Sequence, residues 1–82
     1  MLTIYTKDQC QFCDRSKALL KLKNVAYQEI RVDLVAEAKA FLVAQGHRTV
    51  PQIYKDGKLF VEGGYTGLAR LDESVFSELR NQ

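Results

Sequence analysis

The chain has 82 residues, which is enough for one small domain with a single modest core. Apolar residues make up 46% and charged residues 27% of the sequence, a composition that excludes an intrinsically disordered chain. The net charge of +2 is too small to predict nucleic-acid binding. Apolar runs fall well short of the ~20 residues of a membrane-spanning helix, and the N-terminus has no signal-peptide pattern. We therefore expect a cytoplasmic protein without a membrane partner.

The hydrophobic pattern predicts an α/β chain with the element order β-α-β-α-β-β-α. In chain order these elements are a strand over 2–6, a helix over 14–23, a strand over 27–32, a helix between Asp33 and Gly46, two short strands over 51–55 and 58–62, and a last helix that follows Thr66. The first β-α-β unit should be parallel and right-handed. The two short strands should form an antiparallel hairpin around Asp56-Gly57, because both residues tolerate a positive φ.

Residues that favour helix ends bound the second and last helices. Asp33 is an N-cap candidate and Gly46 a stop signal for the second helix. Thr66 is an N-cap candidate for the last helix. We interpret the apolar side chains at helical spacing as core: Leu34, Ala38, Phe41 and Leu42 in the second helix, and Leu68, Leu71, Val75 and Leu79 in the last.

The only two cysteines, Cys10 and Cys13, lie between the first strand and the first helix. Residues three apart at a helix start lie on one edge, close enough for a disulfide. Free N–H groups and the helix dipole favour a thiolate on Cys10. The pair therefore predicts a reversible dithiol/disulfide couple, and Lys7, Arg15, Lys17 and Arg48 are cations that could surround it.

Two structural alternatives exist for this pair. A zinc site normally needs four ligands, and only His47, which we interpret as a surface residue without a catalytic role, could join the cysteines. We therefore expect no metal. A purely structural disulfide that closes so short a loop removes little chain entropy.

Five features in a specific order resemble the glutaredoxin family over nearly the whole chain. They are Lys7 before the cysteines, the Cys10–Cys13 pair, Thr49-Val50-Pro51, the Asp56-Gly57 hairpin, and Gly63-Gly64-Tyr65-Thr66. The resemblance implies a single glutaredoxin domain over 1–82 with the thioredoxin-like fold, a four-stranded mixed sheet flanked by three helices. It also implies a monomeric thiol-disulfide oxidoreductase that uses glutathione as its reducing co-substrate.

The resemblance places glutathione in a groove beside the cysteines. Lys7 would meet the glycyl carboxylate, and Phe12 would pack beside the tripeptide. Pro51 would be cis, which would leave the backbone of Val50, next to Thr49, free to pair with an extended substrate. At the other end, Gly64 would allow close approach, and the N–H groups of Tyr65 and Thr66 would bind the γ-glutamyl carboxylate.

The expected chemistry follows from the position of each sulfur. Cys10, at the helix start, should attack a substrate disulfide, and Cys13 should then displace the product and leave the pair oxidised. Two glutathione molecules would restore the dithiol. The expected partners are glutathione and disulfide-containing or glutathionylated proteins.

Two residues depart from the family pattern. Gln11 replaces a frequent proline after the first cysteine, which should change the redox poise. Gly67 stands where an aspartate often helps to bind the glutamyl amino group. This favours an alternative, an electron donor to ribonucleotide reductase that thioredoxin reductase recharges. A further alternative is an iron–sulfur carrier, in which Cys10 of two subunits and two glutathiones would hold a cluster.

Overall fold

A computed structural model of the chain describes residues 1–81; Gln82, the last residue of the expected domain, lies outside the described residues. The elements are β1 (Leu2–Thr6), α1 (Gln11–Leu22), β2 (Tyr27–Arg31), α2 (Ala36–Ala44), β3 (Gln52–Lys55), β4 (Lys58–Leu59), α3 (Tyr65–Ala69) and α4 (Glu73–Arg80). The α/β class and the strand order along the chain are as predicted.

The four strands form one mixed sheet in the order β2-β1-β3-β4. β1 pairs with β2 in parallel, with Leu2 opposite Tyr27, and with β3 in antiparallel fashion, with Ile4 opposite Ile53. β3 and β4 form the predicted antiparallel hairpin. The segments that carry the two cysteines and Pro51 therefore adjoin β1 and β3, the two strands that are paired on both sides.

Alternation along these strands divides the core between the two faces of the sheet. Leu2, Ile4 and Ile53 are buried in one cluster with Leu20 of α1 and Leu68 of α3. On the opposite face, Tyr5 and Tyr54 pack against Phe41 of α2, with ring centroids 5.4 to 5.8 Å apart. The sheet thus lies between α2 on one side and α1 with α3 on the other.

The second helix begins later than predicted. Val35, not Asp33, is its N-cap, so Leu34 lies outside the helix and its side chain is exposed. The carboxylate of Asp33 instead accepts two hydrogen bonds from the guanidinium of Arg31, of 2.6 and 2.8 Å. This guanidinium holds the pKa of Asp33 well below its usual range. The Asp33 carboxylate therefore pairs with Arg31 and does not cap α2.

The last predicted helix is two helices, which makes four in the described residues. Arg70 ends α3, and Asp72, with an extended backbone, begins α4 and accepts a 2.6 Å hydrogen bond from the Ser74 hydroxyl. The N-cap of α3 is Gly64, so the predicted cap Thr66 lies inside that helix. β4 ends at Leu59, three residues before its predicted end. Within residues 1–81, no helix combines the length and apolar character needed to cross a bilayer.

Candidate active site

The sulfur of Cys10 acts as the N-cap of α1. The helix begins at Gln11, three residues before its predicted start, because the backbone N–H of Cys13 donates to Cys10 Sγ at 3.2 Å and that of Asp14 donates to Cys10 O at 3.1 Å. The two cysteines form a disulfide, with Cα atoms 5.2 Å apart. A donor that points at Cys10 Sγ in the oxidised pair is also positioned to stabilise a thiolate there after reduction.

The two sulfurs differ in their access to solvent. Cys13 is 1% exposed and lies over the core, whereas Cys10 is half-buried at the surface. Cys10 Sγ lies 3.8 Å from the carbonyl oxygen of Val50, and the Val50–Pro51 peptide bond is cis. A substrate that pairs with the backbone of Val50 would therefore lie beside Cys10 and out of reach of Cys13.

A groove of about 660 Å³ lies between the start of α1 and the start of α3, and it is lined by Val50, the residue whose carbonyl oxygen is near Cys10 Sγ. Seven of the residues predicted from the sequence to bind glutathione line it: Phe12, Thr49, Val50, Pro51, Gly64, Tyr65 and Thr66. We call this cleft the main groove. The fold thus brings together three segments that are far apart in the sequence.

Aromatic side chains form one wall of the main groove. The rings of Phe12 and Tyr65 are 6.0 Å apart at their centroids, and Phe12 remains 53% exposed. The guanidinium of Arg15 lies 5.3 Å from the centroid of the Phe12 ring. The predicted cation Arg15 therefore contacts the aromatic wall.

Two glycines make close backbone contacts: Gly64, which lines the main groove, and Gly67 in α3. Gly64 has φ of +59°, and a Cβ there would lie 2.7 Å from the carbonyl oxygen of Pro51. A Cβ on Gly67 would overlap the carbonyl oxygen of Glu62. The sequence pattern identified Gly67 only as a departure from the family; the structure shows that no side chain fits there without movement of the backbone.

The predicted anion-binding amides are only partly available. The N–H of Thr66 donates to the carbonyl oxygen of Gly63 at 3.2 Å, so it is already used in the turn. The adjacent N–H of Tyr65 is the first of α3, a helix of only five residues. This end of the groove therefore offers fewer donors than the sequence predicted.

Lys7 is the one predicted glutathione-binding residue that does not line the main groove. It lines a neighbouring recess of about 290 Å³, together with Arg48. The two cavities meet at His47, Thr49 and Val50. A ligand that spans both would reach Lys7.

Lys17 is held on the sheet. Its Nζ lies 3.0 Å from Glu29 Oε2, and the hydroxyl of the buried Thr6 donates to the same oxygen at 2.7 Å. The Thr6 hydroxyl, and then Lys17, hold the pKa of Glu29 below its ordinary value, and Glu29 raises the pKa of Lys17. This network ties α1 to the end of β1 and keeps the Lys17 charge on the carboxylate of Glu29.

His47 has contacts that the sequence did not indicate. Its Nε2 lies 2.7 Å from the hydroxyl oxygen of Tyr54, which is 3% exposed and whose pKa is raised by burial. The pairing joins the loop before Pro51 to β3. Within residues 1–81, no group of three His, Cys, Asp or Glu side chains comes together as a metal site.

Comparison with known proteins agrees with this geometry. The family model "Glutaredoxin" matches residues 2–60. The chain is similar to glutaredoxin 3 of Escherichia coli strain K12, with 41% identity over 70 residues that cover 84% of this chain and 82% of that protein.

Solved structures show the same fold. The buckwheat glutaredoxin–glutathione complex is 27% identical with a TM-score of 0.69, and the match covers 98% of this chain and 72% of that one. The glutaredoxin-like NrdH-redoxin of Escherichia coli is also 27% identical, with a TM-score of 0.72 and coverage of 95% and 92%. From its sequence, its fold and the CxxC pair at the start of α1, this chain belongs to the glutaredoxin family of thiol-disulfide oxidoreductases.

Proposed function

We propose that this oxidoreductase depends on glutathione and reduces protein disulfides and glutathione mixed disulfides through Cys10 and Cys13. The observation that carries the proposal is the position of the disulfide, whose more accessible sulfur lies 3.8 Å from the carbonyl oxygen of Val50, a residue that lines the main groove. The buckwheat glutaredoxin, which shares the fold, is solved as a complex with glutathione.

Cys10 is the attacking sulfur in the proposed reaction. Its thiolate attacks one sulfur of the substrate disulfide, which forms a mixed disulfide and releases the other sulfur as a thiolate. The Cys13 thiolate then attacks Cys10 Sγ, which releases the reduced substrate and leaves the Cys10–Cys13 disulfide. One glutathione thiolate attacks Cys10 Sγ and releases the Cys13 thiolate. A second attacks the sulfur of the bound glutathione and releases the Cys10 thiolate, which yields glutathione disulfide and the dithiol enzyme.

The helix start supports this assignment of roles. The N–H of Cys13 that donates to Cys10 Sγ is placed to stabilise a thiolate there after reduction. A stabilised thiolate is also a good leaving group, so the mixed disulfide would break readily at the Cys10 sulfur. Because Cys13 is buried, its sulfur would react with Cys10 in the intramolecular step and not with a substrate directly.

The proposed glutathione site runs along the main groove toward Lys7. The peptide backbone would pair with that of Val50, Phe12 would lie beside the tripeptide, and the Tyr65 N–H would meet the glutamyl end. Lys7 would meet the glycyl carboxylate across the junction with the recess.

A second candidate is an electron donor recharged by thioredoxin reductase, with ribonucleotide reductase as its acceptor. The specific observation in its favour is the contact between Gly67 and Glu62 O, which excludes a side chain where the family often has an aspartate for the glutamyl amino group. The solved NrdH-redoxin is described as a glutaredoxin-like protein with a thioredoxin-like activity profile.

One coupled assay separates the two candidates. The protein is oxidised and then reduced either by glutathione with glutathione reductase or by thioredoxin reductase, and NADPH consumption is followed. Faster turnover with glutathione, at equal reductase activity, supports the glutathione-dependent enzyme. Turnover with thioredoxin reductase alone would contradict it and favour the donor.

We also propose that the protein acts as a monomer in the cytoplasm. Both reacting sulfurs come from one chain, and a CxxC pair used as a reductant needs a compartment that keeps thiols reduced. Light scattering of the reduced protein and cell fractionation test the two statements. A stable dimer, or recovery in an oxidising compartment, would contradict them.

A further inference from the structure

The recess beside the main groove is lined by basic and apolar side chains. Its cations are Lys7, Lys39 and Arg48, and its apolar lining residues include Val32, Leu42 and Val43. We call this cavity the basic recess. We propose that it is a docking surface for an acidic segment of the protein disulfides that this enzyme reduces.

The three cations are uncompensated. They come from the loop after β1, from α2 and from the loop before β3, and none forms an ion pair within residues 1–81. The one carboxylate in the recess, among the described lining residues, is Asp33, which is bound by Arg31 at 2.6 and 2.8 Å and accepts the N–H of Asp8 at 3.2 Å. The field of the recess is therefore positive.

The main groove has no Lys or Arg among its described lining residues. Glu62 is its only Lys, Arg, Asp or Glu among the described lining residues, and it lies at the end near Gly63 and Gly64. A chain bound across both cavities thus meets a negative charge at one end and positive charges at the other. Electrostatic complementarity of this kind selects partners and fixes their orientation. An acidic segment would lie on the Lys39 side of the substrate disulfide.

The position of the basic recess makes it useful for catalysis. It shares Thr49 and Val50 with the main groove, so a substrate whose backbone pairs with Val50 at Cys10 continues directly into it. The inference rests on the proposed role of Cys10 as the attacking sulfur, but it does not require that glutathione be the reductant. Each exposed cation of this kind should change the rate at which Cys10 reacts with a charged substrate by about two- to fivefold.

The test measures the reaction of Cys10 with peptides of different charge. The Cys13→Ser protein reacts with cysteine peptides that carry a 2-pyridyl disulfide and are flanked by Glu, Gln or Lys residues. The Cys10 thiolate attacks the peptide sulfur and the mixed disulfide forms. The pyridinethiolate leaves with the bond electrons, takes up a proton, and is measured by its absorbance.

We expect the Glu peptide to react about five to tenfold faster than the Gln peptide at low salt, and the Lys peptide more slowly. The advantage should disappear near 1 M salt, where the Debye length is about 3 Å. Lys39→Gln and Arg48→Gln should each lower the Glu-to-Gln rate ratio about two- to fivefold. Lys21→Gln, an exposed lysine of α1 outside both cavities, is the matched control and should leave the ratio unchanged.

Several results would overturn the proposal. A ratio near one in the parent protein, or a ratio unaffected by Lys39→Gln and Arg48→Gln, would do so. An effect of Lys7→Gln alone would show that the recess is only the carboxylate end of the glutathione site. Stronger inhibition by a single-stranded oligonucleotide than by oligoglutamate would assign it to nucleic acid. Failure of every peptide to react would overturn the role of Cys10, and the docking proposal with it.

Discussion

The backbone of Gly64 lies directly against Pro51, and a Cβ on Gly64 would be 2.7 Å from the Pro51 carbonyl oxygen. Gly64 also has φ of +59°, where a side chain is strained. We expect Gly64→Ala to lower stability by about 1–3 kcal/mol and to lower activity by moving the main groove. Thermal unfolding and mixed-disulfide turnover measure the two effects.

Gly57→Ala is the matched control for Gly64→Ala. Gly57 has φ of +82°, but a Cβ there would have no other atom within 4 Å, so this change adds strain without overlap. Its turnover should stay close to that of the parent. Equal losses of stability and activity in the two variants would show that contact with Pro51 is unimportant.

Restoring the family's aspartate should fail. Gly67→Asp places a side chain against the carbonyl oxygen of Glu62, so we expect a loss of stability of at least about 1 kcal/mol and no gain in glutathione affinity. Thr66→Asp, at an exposed position one residue earlier, should be tolerated in thermal unfolding. Tighter binding of glutathione by a stably folded Gly67→Asp protein would contradict the steric argument.

The two cysteines should differ in their response to serine substitution. Cys13→Ser should keep most of the turnover of glutathione mixed disulfides, because that route needs one thiol, while Cys10→Ser should lose thiol exchange altogether. Turnover with a glutathionylated peptide is measured for both variants. The pKa of the remaining thiol in each is measured by thiolate absorbance. Activity in the Cys10→Ser protein alone would reverse the roles.

Glu29 should give the fold an acid-sensitive contribution. Its pKa is lowered in the folded protein, chiefly by the Thr6 hydroxyl and further by Lys17. A lowered folded pKa stabilises the fold above the unfolded value of about 4.3, and this contribution is lost as the pH falls through the folded pKa. Glu29→Gln should therefore be less stable than the parent at pH 7 and lose less stability on acidification.

Thermal unfolding at neutral and acid pH tests the role of Glu29, with Glu78→Gln as the control because Glu78 is an exposed residue of α4. A parallel pH dependence in the parent and Glu29→Gln proteins would show that the Thr6–Glu29–Lys17 network contributes nothing to acid sensitivity.

The sequence predicted the parts of the fold that depend on local pattern. Alternation over Leu2–Thr6 and the Asp56-Gly57 turn are local signals, and both are confirmed. The spacing of Leu68, Leu71 and Val75 equally suits one continuous helix, so it concealed the break at Asp72. Asp72 followed by Glu73 and Ser74 is a helix-start signal that could have indicated the break.

Other features required contacts between distant residues. Asp33 fits an N-cap by type, but Arg31 binds its carboxylate. The sequence gives no sign that His47, a residue after a helix, has a specific contact. In the structure its ring nitrogen lies 2.7 Å from the hydroxyl oxygen of Tyr54. The overlap at Gly67 depends on where the carbonyl of Glu62 points, which no spacing rule gives.

The edges of the sheet are poor templates for another strand. β4 offers only two residues, and β2 carries the exposed, charged or polar side chains of Gln28 and Glu29. Short and charged edges discourage growth of a sheet from one molecule to the next. The carbonyl oxygen of Val50, in contrast, lies 3.8 Å from Cys10 Sγ. If a substrate pairs with Val50 as proposed, that pairing takes place beside the reacting sulfur and ends when the substrate disulfide is reduced.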